Sequence, residues 1–318
     1  MKNLPPEVAA LLQHGAALTS TVAETVGHRE LDRLLASGTL RPFPRIGGVL
    51  VHPTKDDRWT AYAAVQLRCP GAAASRRLAC WLFRAAPFDT PQPAHVEYLS
   101  SKRSRLAEVS HTATLPIEDV GFVAGIRVTS PARTLADLGT VCDRDLVERV
   151  GEQLLHKSLT TEDQLYATAD RLRRRGRRGV AALDQFLKRR GRGTPPTESD
   201  LETRFLQASR ALGFPEPTYR QYPVARPGLE PLRIDFAWRT AQDLILVEVD
   251  GAATHANPDA LVADLRRQNA LQGLRPVLLR FTAEEIDRQT RYIEVGLAPW
   301  LAQRQVQGVE PHFGQPAA

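Results

Sequence analysis

Residues 233–257 read RIDFAWRTAQDLILVEVDGAATHAN, and no other stretch constrains the fold as strongly. Two apolar runs, at 234–236 and 244–249, flank a short polar segment and place three carboxylates at defined points: Asp235, Glu248 and Asp250. Acidic residues are depleted in strands, so acids inside such runs ask for a reason. Strand residues two apart share a face, which sends Glu248 and Asp250 the same way while Leu246, Val247 and Val249 largely feed a core. A hairpin between the runs brings Asp235 alongside them. Three convergent carboxylates repel one another unless a cation sits between them, and oxygen-only ligands suit Mg²⁺ or Mn²⁺. His255, five residues past Asp250, adds a titratable base at the mouth of the same site. A single strand acid beside a turn is usually just solvated; three of them around a continuous apolar run point to a metal site.

Further residues extend this pattern on both sides. Glu202 lies in SDLETRFLQASRALGF, which has the period of a helix, and Thr197 or Ser199 is available to cap it. Downstream come Asp264-Leu265-Arg266-Arg267-Gln268 and the strand-like VLLRFT at 277–282. Together, residues 197–286 resemble the PD-(D/E)xK nuclease superfamily, and within it the bacterial branch similar to very-short-patch-repair endonucleases. The resemblance implies a helix-strand-strand-strand-helix-strand core. It makes Asp235 the motif aspartate, Glu248-Val249-Asp250 an ExD variant of the second motif, and His255 the branch's catalytic histidine. Glu202 matches the acidic residue of the first core helix, and Asp264 to Gln268 a DRRR-type helix in which Arg266 and Arg267 would meet DNA. Asp250 stands where the broad superfamily has lysine, which moves the base role toward His255 or the metal itself.

A chain of 318 residues is long enough for two or three domains, each with its own core. No run approaches 18 apolar residues, so no spanning helix and no membrane partner are expected. The N-terminus, MKNLPPEVAALLQHG, has acid and proline where a secretory signal needs a basic start and an apolar block. Cys69, Cys80 and Cys142 are scattered and lack metal spacing, which suits reduced thiols in a cytoplasmic protein. Charge is uneven: residues 195–318 carry 13 Lys+Arg against 16 Asp+Glu, a net of −3, which leaves +9 of the whole-chain +6 for residues 1–194. A basic N-terminal part beside an acidic catalytic part assigns nucleic-acid attraction to the former. The densest basic runs are DRLRRRGRRG at 170–179 and LKRRGRG at 187–193. They read equally as a solvated helix end or linker and as a phosphate contact.

Three short apolar-periodic segments, at 6–14, 19–26 and 29–36, precede a hairpin pattern at 39–51 with Gly47-Gly48 at its turn. Three helices and a hairpin make a winged helix-turn-helix, with Arg29, Arg33, Arg41 and Arg45 as DNA contacts; a protein-protein module is the alternative. Gly38-Thr39-Leu40 and Arg45-Ile46-Gly47-Gly48-Val49 resemble the N-terminal domain of AbiEi-type antitoxins, although Pro42 and Pro44 confine that wing strand to a sheet edge.

Helices are expected at 58–67 and 72–83 and strands at 95–98 and 122–128. The segment 126–138, IRVTSPARTLADL, resembles a strand-to-helix junction of the same antitoxin-like family. Ser130 can cap that helix, Pro131 suits its first position, and Arg133 and Asp137 form an i,i+4 pair. No nucleophile-base spacing is evident among Ser75, Ser110, His95 and His111. The sequence therefore predicts an α/β (α+β) protein in five parts: a winged helix-turn-helix (1–55), an antitoxin-like mixed α/β middle domain (56–175), a basic linker (176–196), a restriction-endonuclease-like mixed-sheet domain (197–305) and a tail (306–318). The expected activity is that of a divalent-metal-dependent DNA endonuclease in defence or repair. The alternative is an antitoxin-like DNA-binding regulator with an inert nuclease fold, to which a toxin partner or a homodimer belongs.

Overall fold

The computed structural model describes residues 4–44, 46–53, 57–88, 96–173, 179–226, 229–250 and 275–301. It is a mixed α and β architecture in two compact units, one formed by residues 1–143 and 163–184, the other by 144–162 and 185–318. Arg45, His255, Asp264, Arg266, Arg267 and the tail at 306–318 lie outside the described residues. No helix among the described residues is long and apolar enough to cross a membrane.

The first unit opens with α1 (Pro6–Leu11), β1 (Ala16–Leu18), α2 (Thr19–Val26) and α3 (His28–Ala36). The helix expected through residue 14 stops at Leu11, because Gln13 bridges back to Ala16 and His14 and Gly15 take positive φ. The hairpin forms as expected: β2 (Arg41–Pro42) pairs antiparallel with β3 (Val49–Val51), and β2 is an edge in the order β1-β3-β2. Pro42 sits on that edge, where a missing N–H is tolerated. Ala16, Ile46, Val49 and Val51 share one apolar cluster with Tyr62 of α4 (Asp57–Arg68) and with Leu78, Tyr98, Ile126 and Val128, so the segments before and after the boundary expected at 55 share one core.

That core is floored by a five-stranded sheet, ordered β6-β5-β4-β8-β7, of β4 (Ala73–Ala74), β5 (Tyr98–Ser100), β6 (Val109–His111), β7 (Val120–Val123) and β8 (Ile126–Thr129). Two expectations are corrected here. The helix read at 72–83 begins with β4, and α5 occupies Arg76–Leu82; pairing of Ala73 with Leu99 and Ala74 with Val128 overrides the helix propensity of three alanines. The single strand read at 122–128 is a hairpin, turned by Ala124 (φ 48) and Gly125 (φ 79), both in the left-handed region that such tight turns require.

Helix α6 (Pro131–Leu138) has the expected start, with Pro131 in its first turn and the Ser130 hydroxyl accepting the Arg133 N–H at 3.4 Å. Arg133 is fully buried: Nε donates to Asp137 at 2.8 Å, and Nη1 to Asp119 at 2.6 Å. Arg171 reaches Asp119 as well. The Arg133–Asp137 pair was legible in the sequence; Asp119, 14 residues upstream, was not. Burial pushes the Cys142 thiol up to about 11 and raises Cys80 too, so neither is a ready thiolate nucleophile.

In chain order the next helices are α7 (Arg144–His156), α8 (Glu162–Arg173), α9 (Val180–Arg190) and α10 (Asp200–Ala211). In the second unit, α7 packs beside α10. The linker expected at 176–196 instead contains the helix α9. Val180, Leu183, Phe186 and Leu187 form its buried apolar stripe, which the basic residues around it obscure in the sequence. Phe186 lies so close to Gly151 that a Cβ there would meet its ring at 2.5 Å. Arg190 bonds Glu152 (2.7 Å) and Glu162 (3.0 Å), and Arg189 bonds Asp145 and Glu148 (3.1 Å each). Both arginines pair with carboxylates of the same unit.

The unit's sheet runs in the order β12-β11-β10-β9, from β9 (Tyr219–Arg226), β10 (Leu229–Arg239), β11 (Asp243–Asp250) and β12 (Arg275–Thr282). β9, β10 and β11 form an antiparallel meander, and β12 joins β11 in parallel. Phe236, Trp238, Ile245 and Val247 pack with Phe205 of α10 and with α11 (Ala283–Arg288) and α12 (Arg291–Leu301). Ala237, Leu244 and Leu246 collect in a separate apolar cluster with Ile234 and Val224.

Candidate active site

The hairpin of β10 and β11 is held in register by Phe236↔Val247, Ala237↔Leu246 and Trp238↔Ile245, and its ladder stops there. One step further, the Asp235 Oδ2 accepts the Val249 N–H at 2.7 Å. A side chain thus stands where the next backbone bond would close, so the two strands part at Asp235. Strand alternation would put Ile234 and Phe236 on one face, opposite Asp235. They instead join different clusters, so the alternation breaks at this residue. The neighbouring strand carries the matching irregularity. Gln221, which lies between the pairs Ile234↔Tyr222 and Phe236↔Arg220, has φ 53, a region that non-glycine residues rarely adopt.

Glu202 approaches from α10. Ser199 caps this helix by accepting the Glu202 N–H at 3.1 Å, and Glu202 is the buried acid of its first turn. Its Oε2 accepts the Glu198 N–H at 2.9 Å and the Gln221 Nε2 at 3.0 Å. Burial pushes the Glu202 carboxyl up, against the pull of the donors from Glu198 and Ser199. Asp235 is pushed up to about 7, first by burial and then by the nearby Glu202 carboxylate, with Glu248 and Glu198 adding to the rise and the Val249 N–H opposing it. Burial raises both carboxyls, and the Glu202 charge lifts Asp235 further, the electrostatic mark of a carboxylate short of positive charge.

Glu248 is placed by β11, and its Oε2 meets Arg280 Nη2 at 2.7 Å. The two are register partners on adjacent parallel strands. Asp250 ends β11, half-buried, two residues along from Glu248. The structure therefore brings Asp235, Glu202 and Glu248 into one electrostatic neighbourhood, with Asp250 at its margin.

No group of three or more His, Cys, Asp or Glu side chains among the described residues is gathered as a metal site. The donors nevertheless suit Mg²⁺ or Mn²⁺, because Mg²⁺ is commonly held by one or two carboxylates with water and substrate phosphate completing its shell. Asp235 and Glu248 are the carboxylates that would hold it.

Of the expected DNA contacts, Arg29, Arg33 and Arg41 are exposed, and Arg33 is paired with Glu30 at 2.8 Å. Reading the sequence missed Arg280, Gln221, Glu198 and His156. Arg280 carries a usable signal, since a cation inside the apolar run VLLRFT asks for a partner just as Glu248 does. Gln221 carries none, because its role follows from a backbone irregularity.

No family model matches the chain. Two Mycobacterium tuberculosis proteins are similar to it, Uncharacterized protein MT2308 of strain CDC 1551 / Oshkosh and Uncharacterized protein Rv2248 of strain ATCC 25618 / H37Rv. Each is 26% identical over 188 residues, a match that spans 58% of this chain and 66% of the relative, just under two thirds of its length.

Proposed function

We propose that this chain is a divalent-metal-dependent DNA endonuclease, acting in bacterial defence or repair, with its site on the second unit. The carrying observation is the fork at Asp235, where a carboxylate raised to about 7 stands beside Glu202 and Glu248 at the end of a hairpin ladder. The succession of α10, an antiparallel meander and a parallel β12 supports a restriction-endonuclease-like fold of the PD-(D/E)xK type, similar to the very-short-patch-repair branch. Three helices with a small sheet and the β2–β3 hairpin support a winged helix-turn-helix like that of AbiEi-type antitoxins, which would supply DNA affinity through Arg29, Arg33 and Arg41.

In this reading Asp235 and Glu248 would hold the ion, Asp250 would orient water, and His255 would be the base. A bound Mg²⁺ or Mn²⁺ supplies charge neutralisation on the scissile phosphate and lowers the pKa of water. Glu202 fixes Gln221 and keeps the local field negative. The Val249 N–H aims the Asp235 carboxylate, so its orientation is set before any ion arrives. Plasmid nicking with Mg²⁺, Mn²⁺ and EDTA tests the proposal: metal-dependent relaxation of supercoiled DNA supports it, and inertness with both ions refutes it.

A second reading draws on the Arg280–Glu248 ion pair, in which a guanidinium occupies the carboxylate that the ion would need. It makes the chain an antitoxin-like DNA-binding regulator whose nuclease fold is inert. DNA binding without nicking would favour it.

A further inference from the structure

We infer that the cleft walled by His156, Gln221 and Arg233 seats one nucleotide of the substrate strand beside the carboxylates, with His156 and Arg233 holding its phosphate. The inference rests on the hydrolase reading above and names the subsite that reading lacks. The cleft encloses about 620 Å³, within the range of small-molecule sites. Four of its eight lining residues are prolines, including Pro223 and Pro231, so its walls are stiff and present apolar ring faces to a sugar or base.

The cleft connects to the acid cluster through one side chain. Gln221 and Glu198, both lining it, donate to the same oxygen of Glu202, and Glu202 is the carboxylate that most raises Asp235. Gln221 does so from a left-handed backbone, and strain of this kind persists where the surroundings hold it for a purpose. The acids alone would repel a phosphate, so a strand passing them needs N–H donors at its flank, a guanidinium above all.

His156 and Arg233 stand there, both exposed. His156 ends α7 and opposes the Glu202 charge. Arg233 meets Glu198 at 3.1 Å in a pair whose side chains are 68% and 45% exposed. An ion pair this open is worth little, and a phosphate presents a guanidinium with a better bidentate partner.

The test uses the full chain, EDTA to prevent cleavage, and a fluorescein-labelled single-stranded DNA 12-mer followed by anisotropy across about 50 to 200 mM salt. Arg233→Gln should weaken binding about 10-fold and flatten the salt slope by about 0.7, the share of one phosphate contact on a single strand. His156→Gln should weaken it about 3-fold, and Arg233→Lys should recover part of the loss, since a point charge still meets phosphate. Circular dichroism checks that the variants fold. If the parent cleaves DNA but both Gln variants bind like it at every salt concentration, the cleft is not the seat and the hydrolase reading stands. If the variants lose binding as stated but the parent cleaves nothing with Mg²⁺ or Mn²⁺, the cleft stands and the hydrolase reading falls. A parent that binds no oligonucleotide overturns both.

Discussion

Replacing Asp235 with Asn should strengthen the metal-free protein and disable the site, and the structure supplies both magnitudes. Asn has the same shape, and its carbonyl oxygen can keep the Val249 N–H that Oδ2 now accepts at 2.7 Å. The ordinary carboxyl value of 3.8 rises to about 7 here. At about 1.4 kcal/mol per tenfold change, the ionised carboxylate costs the folded state about 4 kcal/mol. Because the Glu202 carboxyl shares that field and is itself raised, about 2–4 kcal/mol is the gain expected on substitution. Its pH dependence has a definite sign. Between about pH 4 and 7 the folded state holds a proton that the unfolded chain has lost, so the parent's stability falls as pH rises through this window. The advantage of Asp235→Asn should therefore be near zero below about pH 4, grow through the window and level off above about 7. Urea unfolding at a series of pH values, without divalent ions, measures it. With Mg²⁺ present, loss of a formal charge from the ion's surroundings should cut plasmid nicking at least ~100-fold, about 3 kcal/mol in the transition state. A variant with a pH-independent stability difference would show that the carboxylate cluster is not charge-starved. One that nicks like the parent would show that any nuclease activity resides elsewhere.

Four other outcomes are expected. Arg280→Met releases Glu248 from a pair worth about 1 kcal/mol at this exposure, so Mn²⁺ affinity by calorimetry should rise about fivefold; an unchanged affinity removes Glu248 from the ligand set. Arg29→Ala with Arg33→Ala should weaken duplex binding and flatten its salt slope by about 0.9 for each phosphate left unneutralised, and binding that stays the same across salt would make the N-terminal helices a protein-protein surface. Asp119→Ala leaves the fully buried Arg133 short of one partner, and unfolding experiments should show a loss of about 3–5 kcal/mol; a loss under about 1 kcal/mol would mean Asp137 suffices. Gly151→Ala drives a methyl into the Phe186 ring, 2.5 Å from the ideal Cβ, for a loss of about 1–3 kcal/mol, and full stability would show that the two helices separate freely.

Much of the candidate site is readable in the chain because strand chemistry is local. Glu248 and Asp250 share a face by alternation, the polar segment after Arg239 permits one tight reversal, and the resulting register carries Asp235 to the end of the ladder beside β11. Ser199, Ser130 and Pro131 are equally legible, since a cap depends on residues within one helical turn. The hairpin at 41–51 belongs with them.

What escaped the sequence depends on partners distant along it. Ala73 and Ala74 have helix propensity yet sit in a sheet because Leu99, 26 residues beyond Ala73, and Val128, 54 beyond Ala74, pair with them. The helix at Val180–Arg190 hides its stripe among basic residues, and its arginines are neutralised by carboxylates from other helices. Residue 55 looks like a boundary by pattern, but burial of Val49 and Val51 with Tyr62 and Val128 joins the segments on its two sides into one core. In the site itself, spacing shows that acids converge but not how their protons are held. That depends on where the β10–β11 ladder ends, on the left-handed backbone at Gln221, and on which cation Glu248 finds beside it. Alternation along a strand is written in the covalent chain, whereas desolvation and the parting of two strands arise only when the sheet closes against its helices.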